Sequence, residues 1–260
     1  MKNIVVVGGS SGIGLCLCQK LTESGDAVTC ISTSVCPISK VKSIVADVTD
    51  FAALQAAFKG IDEIDAVFYC AGISLAAPVE YVERADLKRL IDINLVGAID
   101  CCRLALPLLK KSSTGRIILL GSTGGVTPIA FDSFYSASKA GLIMFSKTLC
   151  AELPHNIKCT AAVIGGVRTR FSFKRKIYDC AGSEYEKNLA RAADKLIKIE
   201  QTGYSPDFVA DRLIKIMNSS SPSPVVSIGF TKKLITLFAK LAPAPLTVWL
   251  TKKIFNISDK

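Results

Sequence analysis

Tyr135 and Lys139 are four positions apart in the run Tyr135-Ser136-Ala137-Ser138-Lys139. If Tyr135 opens a helix, Lys139 lies one turn on and on the same face, so its ammonium can sit near the phenol or share a ligand with it. Thirteen positions earlier, Ser122 ends an apolar run. Near the amino terminus, Gly8-Gly9-Ser10-Ser11-Gly12-Ile13-Gly14 follows the β-branched run Ile4–Val7 and precedes residues of helical character, Leu15–Leu21. Gly8, Gly12 and Gly14 would let such a turn approach a pyrophosphate closely, with the free N–H groups and positive dipole end of the helix facing the anion. Each pattern alone has an ordinary reading as well. Tyr-x-x-x-Lys also describes a helix surface pair, and glycines also serve plain turns.

The elements that must hold these residues recur regularly. Apolar, β-branched runs fall at Asn3–Val7, Ala27–Ser32, Lys42–Ala46, Ala66–Cys70, Arg116–Leu120, Lys158–Ile164 and Pro224–Ile228, with helix-period stretches between most of them. This alternation predicts an α/β fold, a single doubly wound Rossmann-type parallel sheet with helices on both faces and its ligand at the carboxyl ends of the strands. With 260 residues and 50% hydrophobic content, one domain is expected. Residues 1–229 form its body, about 168–204 cover the substrate region, and 230–260 form a tail. The cover contains the basic cluster Lys174-Arg175-Lys176 and reads either as a mobile lid or as a solvated surface helix.

Composition excludes several chemistries. The single histidine, His155, excludes a multi-histidine metal centre, and no Ser/His/Asp triad has a partner histidine nearby. Ten cysteines lack the Cys-x-x-Cys spacing of structural zinc sites, so they read as reduced, buried small residues and no metal is expected. No signal peptide precedes Ile4, which makes the cytoplasm the expected location. A net charge of +10 invites a nucleic-acid reading, but there is no zinc finger or RNP-like stripe to support one.

Together the motifs resemble the short-chain dehydrogenase/reductase family over nearly the whole chain to about Gly229. Gly8-x-x-x-Gly12-x-Gly14 resembles its cofactor loop, Asp47-Val48 its adenine contact and Cys70-Ala71-Gly72 its Asn-Ala-Gly turn, while Asn94, Ser122, Tyr135 and Lys139 match its catalytic tetrad. The resemblance implies an oxidoreductase that interconverts a carbonyl and an alcohol with a nicotinamide cofactor. Tyr135 would be the general acid or base, and Lys139 would also bind the nicotinamide ribose. Ser122 would bond the substrate oxygen, and Asn94 would hold a water linking Lys139 to solvent. Bringing a phenol from pH ~10 to about 7 takes roughly 4 kcal/mol, which one cation ~4 Å away can supply at an effective dielectric constant of ~20. Val7, Cys70 and Ile164-Gly165 depart from the family's common Thr, Asn and Pro-Gly. Ile164, Val167 and Thr169 would still orient the nicotinamide end. The segment Thr33–Val41 is short for the family's usual helix.

Ser32-Thr33 at the end of the second strand, without an acidic residue and with Lys40 and Lys42 nearby in sequence, favours NADP(H) over NAD(H). In the tail, Phe230, Leu234, Leu237, Phe238 and Leu241 recur at helical spacing, Leu246, Trp249, Leu250 and Phe255 follow, and Lys232, Lys233, Lys240, Lys252 and Lys253 interrupt them. This suggests either peripheral membrane contact and an apolar, steroid-, retinoid- or lipid-like substrate, or packing on the protein itself. The resemblance also implies a homodimer or homotetramer. A non-catalytic dinucleotide sensor and a sugar-nucleotide epimerase are the competing readings; the complete tetrad argues against the first and the chain length against the second.

Overall fold

Val and Ile side chains, stiff at their branched Cβ, and Phe, all apolar, suit a strand buried on both faces, and such segments form the centre of this molecule. The structure is a computed structural model describing residues 1–258, and their side chains apart from those of Ser172 and Lys240. A seven-stranded parallel sheet contains β1 (Asn3–Val7), β2 (Ala27–Ser32), β3 (Lys42–Val45), β4 (Ala66–Tyr69), β6 (Gly115–Ser122), β7 (Ile157–Ile164) and β9 (Val225–Ser227). A separate two-residue pair joins β5 (Leu75–Ala76) to β8 (Lys176–Ile177). The order in the large sheet is β3-β2-β1-β4-β6-β7-β9, so the winding reverses between β1 and β4, where a ligand crevice belongs. Ile4 pairs with Val28 on one side and Ala66 on the other.

The period-2 alternation of β1 divides the core. Val5 and Val7 join Tyr69 and Leu119 beneath α2 (Phe51–Lys59), α4 (Gly97–Leu109) and α5 (Ser133–Glu152). Ile4 and Val6 join Phe68 and Ile118 beneath α1 (Gly12–Glu23) and α7 (Pro206–Met217). Between α3 (Arg84–Ile91) and α4 the helix widens into a π turn, Asp92–Val96, and the buried Tyr69 hydroxyl donates to the Ile93 carbonyl there at 2.5 Å. Thr33–Val41 forms no helix, in line with its length.

The stretch expected to cover the substrate region contains α6 (Glu186–Gln201), which buries Leu189, Ala192, Ala193 and Leu196 on one face. The tail forms α8 (Phe230–Leu241) and α9 (Ala244–Ile254). Phe255, grouped in the sequence with the surface apolar residues, is instead buried against Ala192 and Leu196, and Asn188 on α6 bonds Ser258. Phe230, Leu234, Leu237, Phe238, Leu241 and Trp249 face outward. The Lys240 side chain and residues 259–260, part of that tail, lie outside the described set. No helix among the described residues is long and apolar enough to cross a membrane.

Candidate active site

A cleft of about 420 Å³ opens at the carboxyl ends of β1, β2, β4, β6 and β7. The loop after β1 forms its floor. Gly8 has φ +83°, a left-handed conformation that costs an L side chain energy, and a Cβ there would meet the Ala71 nitrogen at 2.7 Å. A Cβ on Gly14 would meet the Gly8 carbonyl at 2.3 Å. The turn therefore brings bare backbone up to the cleft, and α1 points its amino end into it. Such a cradle fits a dinucleotide pyrophosphate. Every residue assigned from the sequence to the cofactor lines this cleft: Gly8, Ser10, Ser11, Gly12, Ile13, Gly14, Ser32, Thr33, Asp47, Val48, Cys70, Ala71, Gly72, Tyr135, Lys139, Ile164, Val167 and Thr169.

At the end facing β2, the Ser10 hydroxyl lies 2.7 Å from that of Ser32 and accepts from Ser34 at 2.9 Å. Neither Lys40 nor Lys42 lines the cleft; Lys42 opens β3, at the strand end away from the cleft, and donates to the Gly60 carbonyl at 3.0 Å. Among the cations that line the cleft is Arg89, paired with Asp47 at 3.3 Å. Nothing in the sequence separates Arg89 from other helix-surface arginines; only the chain path after β3 brings α3 here.

At the opposite end, α5 carries Tyr135 and Lys139 on one face, with the Lys139 ammonium 5.8 Å from the Tyr135 ring centroid and donating to the Leu120 carbonyl at 2.8 Å. Ser122, at the end of β6, lines the same cleft beside the Tyr135 phenol. Asn94 is fully buried in the π turn. Its oxygen accepts from the Ile73 N–H at 2.8 Å, and its amide donates to the Ile73 carbonyl at 2.9 Å and to Ser138 Oγ at 3.1 Å. The Asn94 side chain therefore braces the wall behind Lys139, with both amide protons used within the protein.

The electrostatics correct one expectation. Lys139 was expected to bring the phenol toward 7, but burial holds Tyr135 well above its usual value, outweighing the opposing effect of Ser122, and the Asp132 and Glu200 carboxyls push in the same direction. Burial also lowers Lys139 to about 8. The Tyr135 phenol thus keeps its proton at neutral pH.

The sequence reading missed a buried polar wall beside Tyr135. Asp132, immediately before α5, accepts from Ser74 Oγ at 3.1 and 3.2 Å. Arg175, from the cover, donates to Ser74 at 2.9 Å and pairs with Glu200 of α6 at 2.5 Å. Burial raises Asp132 to about 7, against the opposing effects of Arg175 and Ser74. The basic cluster Lys174-Arg175-Lys176 was a sequence signal, but nothing in it marked Arg175 as the inward-facing member. Phe171 closes over Tyr135, with ring centroids 6.1 Å apart.

Comparison with known proteins follows this geometry. The short chain dehydrogenase family model matches residues 2–177. A 3-ketodihydrosphingosine reductase of Bacteroides thetaiotaomicron is 29% identical over 245 residues, 88% of this chain and 90% of that protein. A short-chain dehydrogenase structure from Streptomyces avermitilis superposes with a TM-score of 0.81 at 22% identity, covering 99% of this chain and 98% of that one. The closed form of a serine dehydrogenase complexed with NADP+ gives 0.73 at 22% identity, covering 87% and 94%.

Proposed function

The chain belongs to the short chain dehydrogenase family, and we propose that it is an NADP(H)-dependent reductase of a ketone on a long-chain amino substrate. The observation that carries the reading is the grouping of the partly buried Tyr135 with Ser122 and Lys139 at the rim of the glycine cradle. Gly8, Ser10, Ser11, Gly12, Ile13 and Gly14 would hold the pyrophosphate. Ser32 and Thr33 would meet the adenosine ribose, Asp47 and Val48 the adenine, and Ile164, Val167 and Thr169 the nicotinamide end. The bound cofactor supplies the hydride. Ser122 orients the carbonyl oxygen and Tyr135 donates the proton that this oxygen takes up. Lys139, positively charged below about pH 8, stabilises the phenolate left behind.

NADP(H) is favoured by the Ser10, Ser32 and Ser34 hydroxyl cluster and by Arg89 at that end, with the nearest carboxylate, Asp47, already committed to Thr49 and Arg89. The amine follows from the buried wall. Asp132 lines the cleft as a carboxyl whose ionisation is suppressed by burial even with Arg175 close by, and a substrate ammonium beside the carbonyl would favour its charged form. A long chain is supported by the relative named for 3-ketodihydrosphingosine, an amino ketone of that kind. The outward apolar face of α8, flanked by Lys232 and Lys233, would seat the protein on the lipid surface where such a substrate resides, and a homo-oligomer is proposed on family grounds. The test is NADPH consumption with 3-ketodihydrosphingosine and with a ketone of equal chain length lacking the amine. The amine-free compound should be turned over with at least ~10-fold lower kcat/KM, the worth of one charge-assisted contact. Absence of turnover of both overturns the reading.

A further inference from the structure

Three thiols meet directly behind the cofactor loop. Cys18 comes from α1, Cys30 from β2 and Cys36 from the segment that follows β2, and their Sγ atoms all lie within 4.8 Å of one another. Separations of 12 and 6 residues in the chain hide this group from any search for paired cysteines. All three are buried, with Cys36, on the loop, the most accessible at 5% exposure. Each thiol is close enough to the others to shift its neighbours' ionisation. The Gly9 and Ile38 backbone N–H groups lie beside Cys30 and Cys36. N–H donors aimed at sulfur form the outer shell that orients and stabilises thiolate ligands. The spacing also suits an ion. A metal ~2.3 Å from each of three sulfurs holds them about 4 Å apart, within reach of these side chains by small rotations.

We propose that Cys18, Cys30 and Cys36 form a binding site for one soft divalent ion of the Zn²⁺ or Cd²⁺ type, and that its occupancy opposes cofactor binding. Thiolate ligands select such ions over Mg²⁺ or Ca²⁺. On binding, the three thiols lose three protons to solvent and the sulfurs form three metal–sulfur bonds, with no oxidation or reduction. A neutral cluster thereby becomes a centre of net charge −1.

The position of that charge sets its effect. A Cβ on Gly9 would meet Cys18 Sγ at 2.7 Å and Cys30 Sγ at 2.8 Å, so the sulfurs touch the backbone of the loop that cradles the pyrophosphate. Cys36 lies four residues after Ser32 and three after Thr33, both at the adenosine end. An anionic centre at this depth repels the cofactor phosphates, and reciprocity requires bound cofactor to weaken the metal by the same factor.

The experiment is an anaerobic titration of the reduced protein with Cd²⁺, read by thiolate-to-metal charge-transfer absorption. A parallel titration with NADPH is read by fluorescence quenching. Wild type should bind one equivalent of Cd²⁺ with this absorption, and Cd²⁺ should weaken NADPH about tenfold, within the usual range of such couplings. Cys36→Ala, at a loop position that tolerates a smaller side chain, and Cys30→Ser should each lose the one-equivalent absorption and the effect on NADPH. Cys150→Ala, distant from the cluster, should keep both. Thermal melting of each variant verifies its fold, and Cys36→Ser replaces either triad variant that melts early. Retention of the absorption in a folded triad variant, or its absence from wild type, overturns the site. One-equivalent binding with unchanged NADPH affinity overturns the coupling.

Discussion

Asp132→Asn isolates the energetic cost of the buried carboxyl beside Tyr135. Asp132 is 1% exposed and its carboxyl is raised from 3.8 to about 7, chiefly by burial. The folded protein therefore binds this proton more tightly than the unfolded chain does. Folding stability falls as pH rises from about 4 through about 7 and then levels off, since above 7 the carboxylate is charged in both states. The shift of roughly three units, at 1.36 kcal/mol each, makes the loss about 4 kcal/mol. Asparagine keeps the shape and the oxygen that accepts from Ser74 but cannot ionise. The stability difference between Asp132→Asn and wild type, from urea unfolding at a series of pH values, should move by about 4 kcal/mol in favour of the variant between pH 4 and pH 8. The other carboxylates largely cancel in that difference. A curve flat to within about 1 kcal/mol would refute the reasoning, because burial would then not govern this group.

Four further outcomes follow from the same geometry. Tyr135→Phe should lower kcat by about 10²–10⁴-fold while NADPH affinity stays within a few-fold, since only the proton donor is removed; retained turnover would exclude Tyr135 as the acid. Because Lys139 is lowered to about 8 and carries its charge below that value, kcat/KM for reduction should hold through neutrality and decline above about pH 8, as a pH–rate profile would reveal. Ser32→Asp should reverse the cofactor preference toward NADH in fluorescence titrations by placing a carboxylate against the 2′-phosphate. Leu234→Glu with Leu237→Glu, both outward on α8, should abolish sedimentation with anionic liposomes and leave the melting temperature nearly unchanged, since apolar burial at ~1.5–3 kcal/mol per side chain exceeds the ~1 kcal/mol from each lysine. Tail truncation would not separate these effects, because it also removes the buried Phe255.

The parallel sheet was legible in the sequence because β-branched runs ending in turn residues are a local signal, and strand bounds moved by only one or two positions on folding. The glycine loop and the Tyr135–Lys139 pair were legible for the same reason: a turn needing φ above zero and a one-turn helical repeat are both encoded within a few residues. What tertiary structure alone decided depends on distant segments meeting. Arg175 looked like its neighbours Lys174 and Lys176 until the cover folded it onto Ser74, Asp132 and Glu200. Asn94 could be named, but its bonds to Ile73 and Ser138 depend on how the π turn meets α5. The phenol's protonation likewise follows from burial among carboxyls rather than from the lysine four residues on, and the thiol cluster exists only because α1, β2 and the loop after it converge. Desolvation and through-space charge act over a few ångströms in space whatever the separation in sequence, so no local pattern carries them.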